Sequence, residues 1–275
     1  MPYAETETGK LYYEVVDLVA PWESRPETII FHHGIGAGPG IWTEWLPQLI
    51  GRYRVVWFDM RGSGRSNVPA RTFKWSLDLL SKDVIAIADA VGTQRPHLVG
   101  ESIGGTIALH CAINKPGRVA TLTISNGADF GAPLQRVHEW QKQIDEQGIR
   151  AWSDQFMRDR FYDGALEEAK RAWFARQQET WQRDSILNAL GVLVGTDLRA
   201  KLPAVTCPVL LLHGDTSPFI PVSVMVAMHA ALPDSRLQVF AHARHGLPFS
   251  HARQCAESLK EFLESVRQRS LHRSG

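Results

Sequence analysis

Short apolar runs alternate with stretches of helical periodicity along most of the chain. That rhythm predicts an α/β fold with a mostly parallel sheet and crossover helices. Strands are expected at residues 11–16, 28–33, 54–58, 96–99, 119–124, 208–212 and 236–240. Residues 76–91 carry apolar side chains at helical spacing and stop at Gly92, a residue suited to a helix C-terminus. An amphipathic helix over 252–266 is expected to close the chain, with the basic run 267–273 as a frayed, solvated tail.

The rhythm breaks between 133 and 200. This stretch holds no strand pattern and is rich in Trp, Gln, Arg and Glu at helical spacing. It reads as an all-helical cap inserted between two sheet strands, which divides the chain into core 1–132, cap 133–200 and core 201–275. Trp140, Trp152, Trp173 and Trp181 all fall in the cap, either as helix-to-helix packing or as walls of an apolar pocket beneath it.

The length of 275 residues suits one large α/β domain with such an insertion. A formal net charge of +1, without a long basic run, argues against nucleic acid or an anionic membrane surface as partner. No apolar stretch approaches the length of a membrane span, and the first residues lack the pattern of a signal peptide, so the cytoplasm is the expected compartment. Cys111, Cys207 and Cys255 form neither a disulfide framework nor a metal-ligand spacing. A small-molecule substrate is expected, with no metal and no other cofactor. The exposed face of the cap leaves a homodimer open.

The densest chemical signal is Gly100-Glu101-Ser102-Ile103-Gly104, placed between an apolar run and a helical one. Its G-x-S-x-G spacing is that of a nucleophile elbow, in which a serine occupies a tight strand-to-helix turn and glycines relieve the crowding on either side. The N–H of Ile103, at the helix start, would then face the substrate as one oxyanion donor. A second Gly-rich turn, His32-His33-Gly34-Ile35-Gly36-Ala37-Gly38, follows another buried strand and could supply the N–H of Ile35 as the other. A phosphate nest is the competing reading of this turn. It is weaker, because the P-loop lysine and the dinucleotide glycine spacing are both missing. His245, in Ala243-Arg244-His245-Gly246 after the last expected strand, is the candidate base, whereas His242 and His251 are expected to be solvated.

Taken with Asp59-Met60-Arg61-Gly62-Ser63-Gly64-Arg65-Ser66, these segments resemble the α/β-hydrolase superfamily over nearly the whole chain. Within it the sequence looks most like capped 3-oxoadipate enol-lactonases and related small-ester hydrolases. The resemblance implies a cofactor-free serine hydrolase that cleaves a carboxylic ester or lactone through an acyl-enzyme on Ser102. The loop Gly36-Ala37-Gly38-Pro39-Gly40 also resembles C–C bond hydrolases of ring-fission products. In relatives the triad acid lies three residues after the glycine that ends the seventh strand, and here that position is Ser217. Asp215 on the same loop, or Asp129 after the preceding strand near Asn126, would have to replace it. The remaining option is a site without a carboxylate, in which Ser217 or Asn126 hydrogen-bonds the imidazole. That departure leaves a third possibility, a low-turnover ligand-binding protein on the hydrolase scaffold.

Overall fold

The computed structural model describes residues 2–23, 26–131 and 139–274. Among them, strands β1 (Tyr3–Thr6), β2 (Gly9–Val16), β3 (Glu27–His32), β4 (Tyr53–Phe58), β5 (His97–Glu101), β6 (Thr121–Ser125), β7 (Val209–Gly214) and β8 (Ser235–Phe240) form one sheet. Its order is β1-β2-β4-β3-β5-β6-β7-β8. The β1/β2 and β2/β4 pairs are antiparallel and every later pair is parallel. The expected mostly parallel α/β sheet is therefore present.

Alternation along the central strands feeds two separate apolar layers, as the two-residue period of a strand requires. Ile30, Val56 and Leu211 point into one layer, which also takes Leu80, Val84 and Ile87 of α1 (Leu77–Ala90) and most of α2 (Ile103–Asn114). Ile29, Phe31, Val55, Leu210 and Leu212 point into the other, where they meet Trp42, Trp45 and Leu259. Helix α1 begins where the sequence suggested: the Ser76 hydroxyl accepts the Leu79 N–H at 3.1 Å and caps the first turn.

Helices α3 (Glu139–Arg160, kinked at Gly148), α4 (Glu168–Glu179) and α5 (Arg183–Val194) occupy the stretch between β6 and β7. Among the described residues there, strand-like pairing is confined to a single bridge, Phe130 to Asp197. The expected start of this segment, at 132/133, lies outside the described residues. The longer helices of the last part are α6 (Val222–Ala231) and α7 (Ala252–Ser274), the latter preceded by a single helical turn at Leu247–Ser250. The tail expected to fray from 267 is instead the last part of α7, where Arg269 reaches Asp234 at 3.2 Å. Strand β1 was not anticipated, because its Tyr-Ala-Glu-Thr sequence has only one buried side chain. No helix among the described residues is long and apolar enough to cross a membrane.

All three cysteines are free and buried. Burial pushes the Cys111 thiol up to about 12 and the Cys207 thiol up to about 11.

The loop after β4 is held by a buried ion pair. Arg61 donates through Nε to Asp83 Oδ2 at 2.8 Å and through Nη2 to Oδ1, while Nη1 reaches the Thr8 carbonyl at 3.0 Å. Arg61 is fully buried and Asp83 is 3 % exposed. Substituting Asp83→Ala strands the guanidinium, and the expected loss is about 3–5 kcal/mol of unfolding free energy, read from the denaturant midpoint.

Candidate active site

All the candidate chemistry sits where the parallel strands end, the edge at which open α/β sheets bind their ligands. Ser102 follows β5 directly and adopts φ 56°, ψ −126°. Such a conformation is strained for a residue with a side chain, and the neighbouring glycines explain how it is tolerated. A Cβ on Gly100 would lie 2.3 Å from the Gly104 carbonyl oxygen, and a Cβ on Gly104 would lie 2.4 Å from that of His32. Only glycine at both positions lets strand, turn and helix close this tightly.

The Ser102 hydroxyl lies 3.1 Å from Nε2 of His245, and Nδ1 of His245 lies 3.1 Å from the hydroxyl of Ser217. With Ser102 donating to Nε2, the ring carries its proton on Nδ1 and donates it to Ser217. Ser217 also accepts the Ile220 N–H at 3.4 Å. The ring is 2 % exposed, and its pKa is held well below the usual histidine value. Burial is the main cause, followed by the charge of Arg160 and by the nearby His213 ring.

Neither expected carboxylate orients this ring. Asp215 turns back onto the histidine loop, where it accepts the N–H groups of His242 at 2.9 Å and Ala243 at 3.0 Å. Its partial burial pushes the carboxyl up, but these donors and the Thr216 hydroxyl outweigh that and hold it below the ordinary value. Asp129 is buried near Phe130, Arg199 and Val224, and desolvation raises its pKa. Asn126, with φ 47°, does not reach the imidazole either. Its amide donates to the backbone carbonyl of His245 at 2.9 Å and accepts the Gly214 N–H at 3.0 Å. The side chain thereby ties the ends of β6 and β7 to the histidine loop.

The second Gly-rich turn lies against the serine: a Cβ on Gly34 would be 2.8 Å from Ser102 Cβ. His33 fixes the turn. Its Nε2 accepts the Met60 N–H at 3.0 Å, so its Nδ1–H donates to the Gly34 carbonyl at 2.9 Å. The Ala37 N–H reaches the same oxygen at 3.2 Å. Because a trans peptide opposes its C=O and N–H, holding that oxygen also fixes the direction of the Ile35 N–H.

The sequence comparison decides the family. The family described as alpha/beta hydrolase fold matches residues 27–190. The chain belongs to that family. This alpha/beta hydrolase is 27 % identical over 252 residues to the protein named "Putative carbamate hydrolase RutD" of Caulobacter segnis, covering 87 % of this chain and 92 % of the relative. It is 29 % identical over 257 residues to a pimeloyl-[acyl-carrier protein] methyl ester esterase of Photobacterium profundum, covering 88 % and 96 %. The enol-lactonase from Burkholderia xenovorans LB400 superposes with a TM-score of 0.82 at 20 % identity, covering 96 % of this chain and all of the other. The protein is a hydrolase, the class in which these relatives are named.

Several features of this alpha/beta hydrolase's site escape the sequence motifs. Glu101, the variable residue before Ser102, is buried and pairs with Arg160 at 2.9 Å. Its signal in the sequence was a charge inside an otherwise apolar strand end. Phe219 meets the His245 ring edge-on, with centroids 4.9 Å apart, and in turn packs on Trp140 and Phe156. Trp152 packs on Phe156 at a tilt, and Trp181 donates its indole N–H to the Ala37 carbonyl at 2.9 Å. Trp173 packs on Phe249 of the core. These tryptophans therefore pack the helices on one another and on the loops around the serine, which is itself 7 % exposed.

Burial keeps the site's histidines neutral: desolvation lowers the pKa of His32 to about 3 and those of His33 and His213 to about 4, from 6.5. Between 6.5 and about 4 the unfolded chain binds more protons than the folded one, so stability falls as pH falls through that window. Denaturant midpoints measured across it should decline steadily toward acid; a flat profile would contradict neutral buried rings.

Proposed function

We propose that this chain is a cofactor-free serine hydrolase that cleaves a small-molecule carboxylic ester or lactone through an acyl-enzyme on Ser102. The observation that carries this reading is the 3.1 Å contact between Ser102 Oγ and His245 Nε2 at a strained elbow. The hydroxyl proton passes to Nε2 as Oγ attacks the carbonyl carbon, and the carbonyl oxygen becomes an oxyanion. The N–H groups of Ile103, which as the first of a helix has no intrahelical partner, and of Ile35 are the donors for that oxygen. Collapse of the tetrahedral species expels the alcohol, which takes the proton from Nε2. Water deprotonated by the same nitrogen then attacks the acyl group and frees Ser102. The names of the relatives, a methyl ester esterase and a carbamate hydrolase among them, fit acyl chemistry of this kind. The helices over the serine act as a cap that excludes bulk water, and the aromatic cover favours an apolar substrate. Three buried free thiols fit a reducing compartment, the cytoplasm.

The distinctive part is Ser217. A hydroxyl orients the ring and fixes its tautomer, but it does not offset the positive charge that forms on His245 as a carboxylate would. Arg160 disfavours that charge further. The base stays neutral, and therefore competent, to well below pH 6.5, in exchange for a weaker pull on the serine proton.

A fluorophosphonate probe should label Ser102 and no other serine, and Ser102→Ala should remove both labelling and ester turnover with the fold intact. Absence of labelling in the wild-type chain would support a binding protein on the hydrolase scaffold instead, the reading that Ser217 favours. Ser217→Asp places an anion against Nδ1 and should raise kcat by about tenfold or more. The acid limb of its kcat/KM profile should move up toward the ordinary histidine value, because the anion stabilises the imidazolium.

A further inference from the structure

We propose that the buried Glu101–Arg160 pair is a positioning device that sets the oxyanion turn and makes its geometry depend on the seating of helix α3 against the sheet. This rests on the serine-hydrolase reading above. Both side chains are 1 % exposed. Glu101 divides its two oxygens: Oε1 accepts Arg160 Nη1 at 2.9 Å, and Oε2 accepts the Gly34 N–H at 2.7 Å. Arg160 sends Nη2 to the Ile35 carbonyl at 2.6 Å, and its own backbone carbonyl accepts the Gly246 N–H at 2.9 Å. The ion pair thus joins the residue before the nucleophile to the oxyanion turn, and the Arg160 main chain adds the residue after the base.

The backbone of Gly34 and Ile35 offers four polar groups. Glu101 holds the Gly34 N–H, His33 holds the Gly34 oxygen and Arg160 holds the Ile35 oxygen. The fourth, the Ile35 N–H, is the donor that the reaction needs. Arg160 is the last residue of α3, and its guanidinium lies over the rings of Phe156, one turn back, at 4.3 Å and Phe174 of α4 at 5.1 Å. Its position is therefore set by the helical segment rather than by the sheet. A buried ion pair contributes little net stability, so holding geometry is the stronger reason for this one. Lysine could not replace it, having no planar fork with which to reach the carboxylate and the carbonyl together.

The test compares the wild-type chain with Glu101→Gln/Arg160→Met, which removes both charges, and with Arg160→Lys, which keeps them. Three readouts are used: steady-state kinetics on a p-nitrophenyl ester, the pH profile, and amide exchange at residues 34–37. The double variant should lose about 100-fold in kcat with KM changed less than about threefold, the signature of a lost transition-state donor. Its 34–37 amides should exchange faster. Its acid limb should move up, because Arg160 no longer opposes protonation of His245; His213, the other titratable group acting on the ring, and the Ser217 and Ser102 hydroxyls stay in place. Arg160→Lys should keep the wild-type acid limb yet lose most of the kcat, separating geometry from charge, and it serves alone where the double variant does not fold. Wild-type kcat and wild-type exchange at 34–37 in folded Arg160→Lys would overturn the proposal. A wild-type chain that neither turns over nor takes a fluorophosphonate defeats the serine-hydrolase reading instead, and exchange at 34–37 in the variants still decides the linkage.

Discussion

Everything at this site follows from one backbone constraint, the close approach of strand β5, the elbow and helix α2 around Ser102. Holding a serine at φ 56° stores strain on the order of 1–3 kcal/mol. That strain persists because the surroundings permit no other path. The Ser102 N–H continues the ladder to the Ser125 carbonyl at 2.9 Å, and α2 is buried along nearly its whole length. The result is a hydroxyl on a rigid scaffold, with a helix N-terminus behind it, placed where loops from four other strands converge.

Those loops are fixed chiefly by hydrogen bonds from side chain to backbone. Asn126 spans the ends of β6 and β7, Asp215 gathers the turn at 242–243, His33 anchors the oxyanion turn, and Glu101 binds the same turn from the elbow side. Two residues that look catalytic in type, Asp215 and His33, thus spend their polar atoms on architecture. The imidazole that remains lies between two hydroxyls, those of Ser217 and Ser102, with Arg160 opposing its protonation. On the reading proposed above, such a site relies on geometry more heavily than on the strength of its base.

The sequence disclosed the parts that local chemistry dictates. The meeting of Ser102 and His245 was legible because a strand-to-helix turn needs glycines at fixed offsets and the loop after the last strand opens at the same sheet edge. The central strands were legible because burial on both faces leaves continuous apolar runs, whereas edge strand β1 has none. Ser217 was visible as the occupant of the acid position, but whether a nearby carboxylate replaced it depended on the turn at 215–219, which no periodicity encodes. Asp215 accepts from backbone 27 and 28 residues away, and Arg160 meets Glu101 across 59. Pairings of that range arise only when helices and sheet are assembled, so no local pattern announces them. The last turns of α7 were missed for a related reason: their basic sequence reads as tail until Asp234 is brought beside Arg269.

The three buried thiols have a consequence of another kind. Each is protonated and shielded in the native state, so none is a ready nucleophile under ordinary conditions. They also sit at separate stations: Cys111 in the helix that follows Ser102, Cys207 just before β7, and Cys255 in the final helix. Because a thiol reacts only once its shelter opens, the order in which the three become reactive reports which part of the fold loosens first. The chain thus carries its own reporters of local opening, and one of them rides on the same helix as the serine.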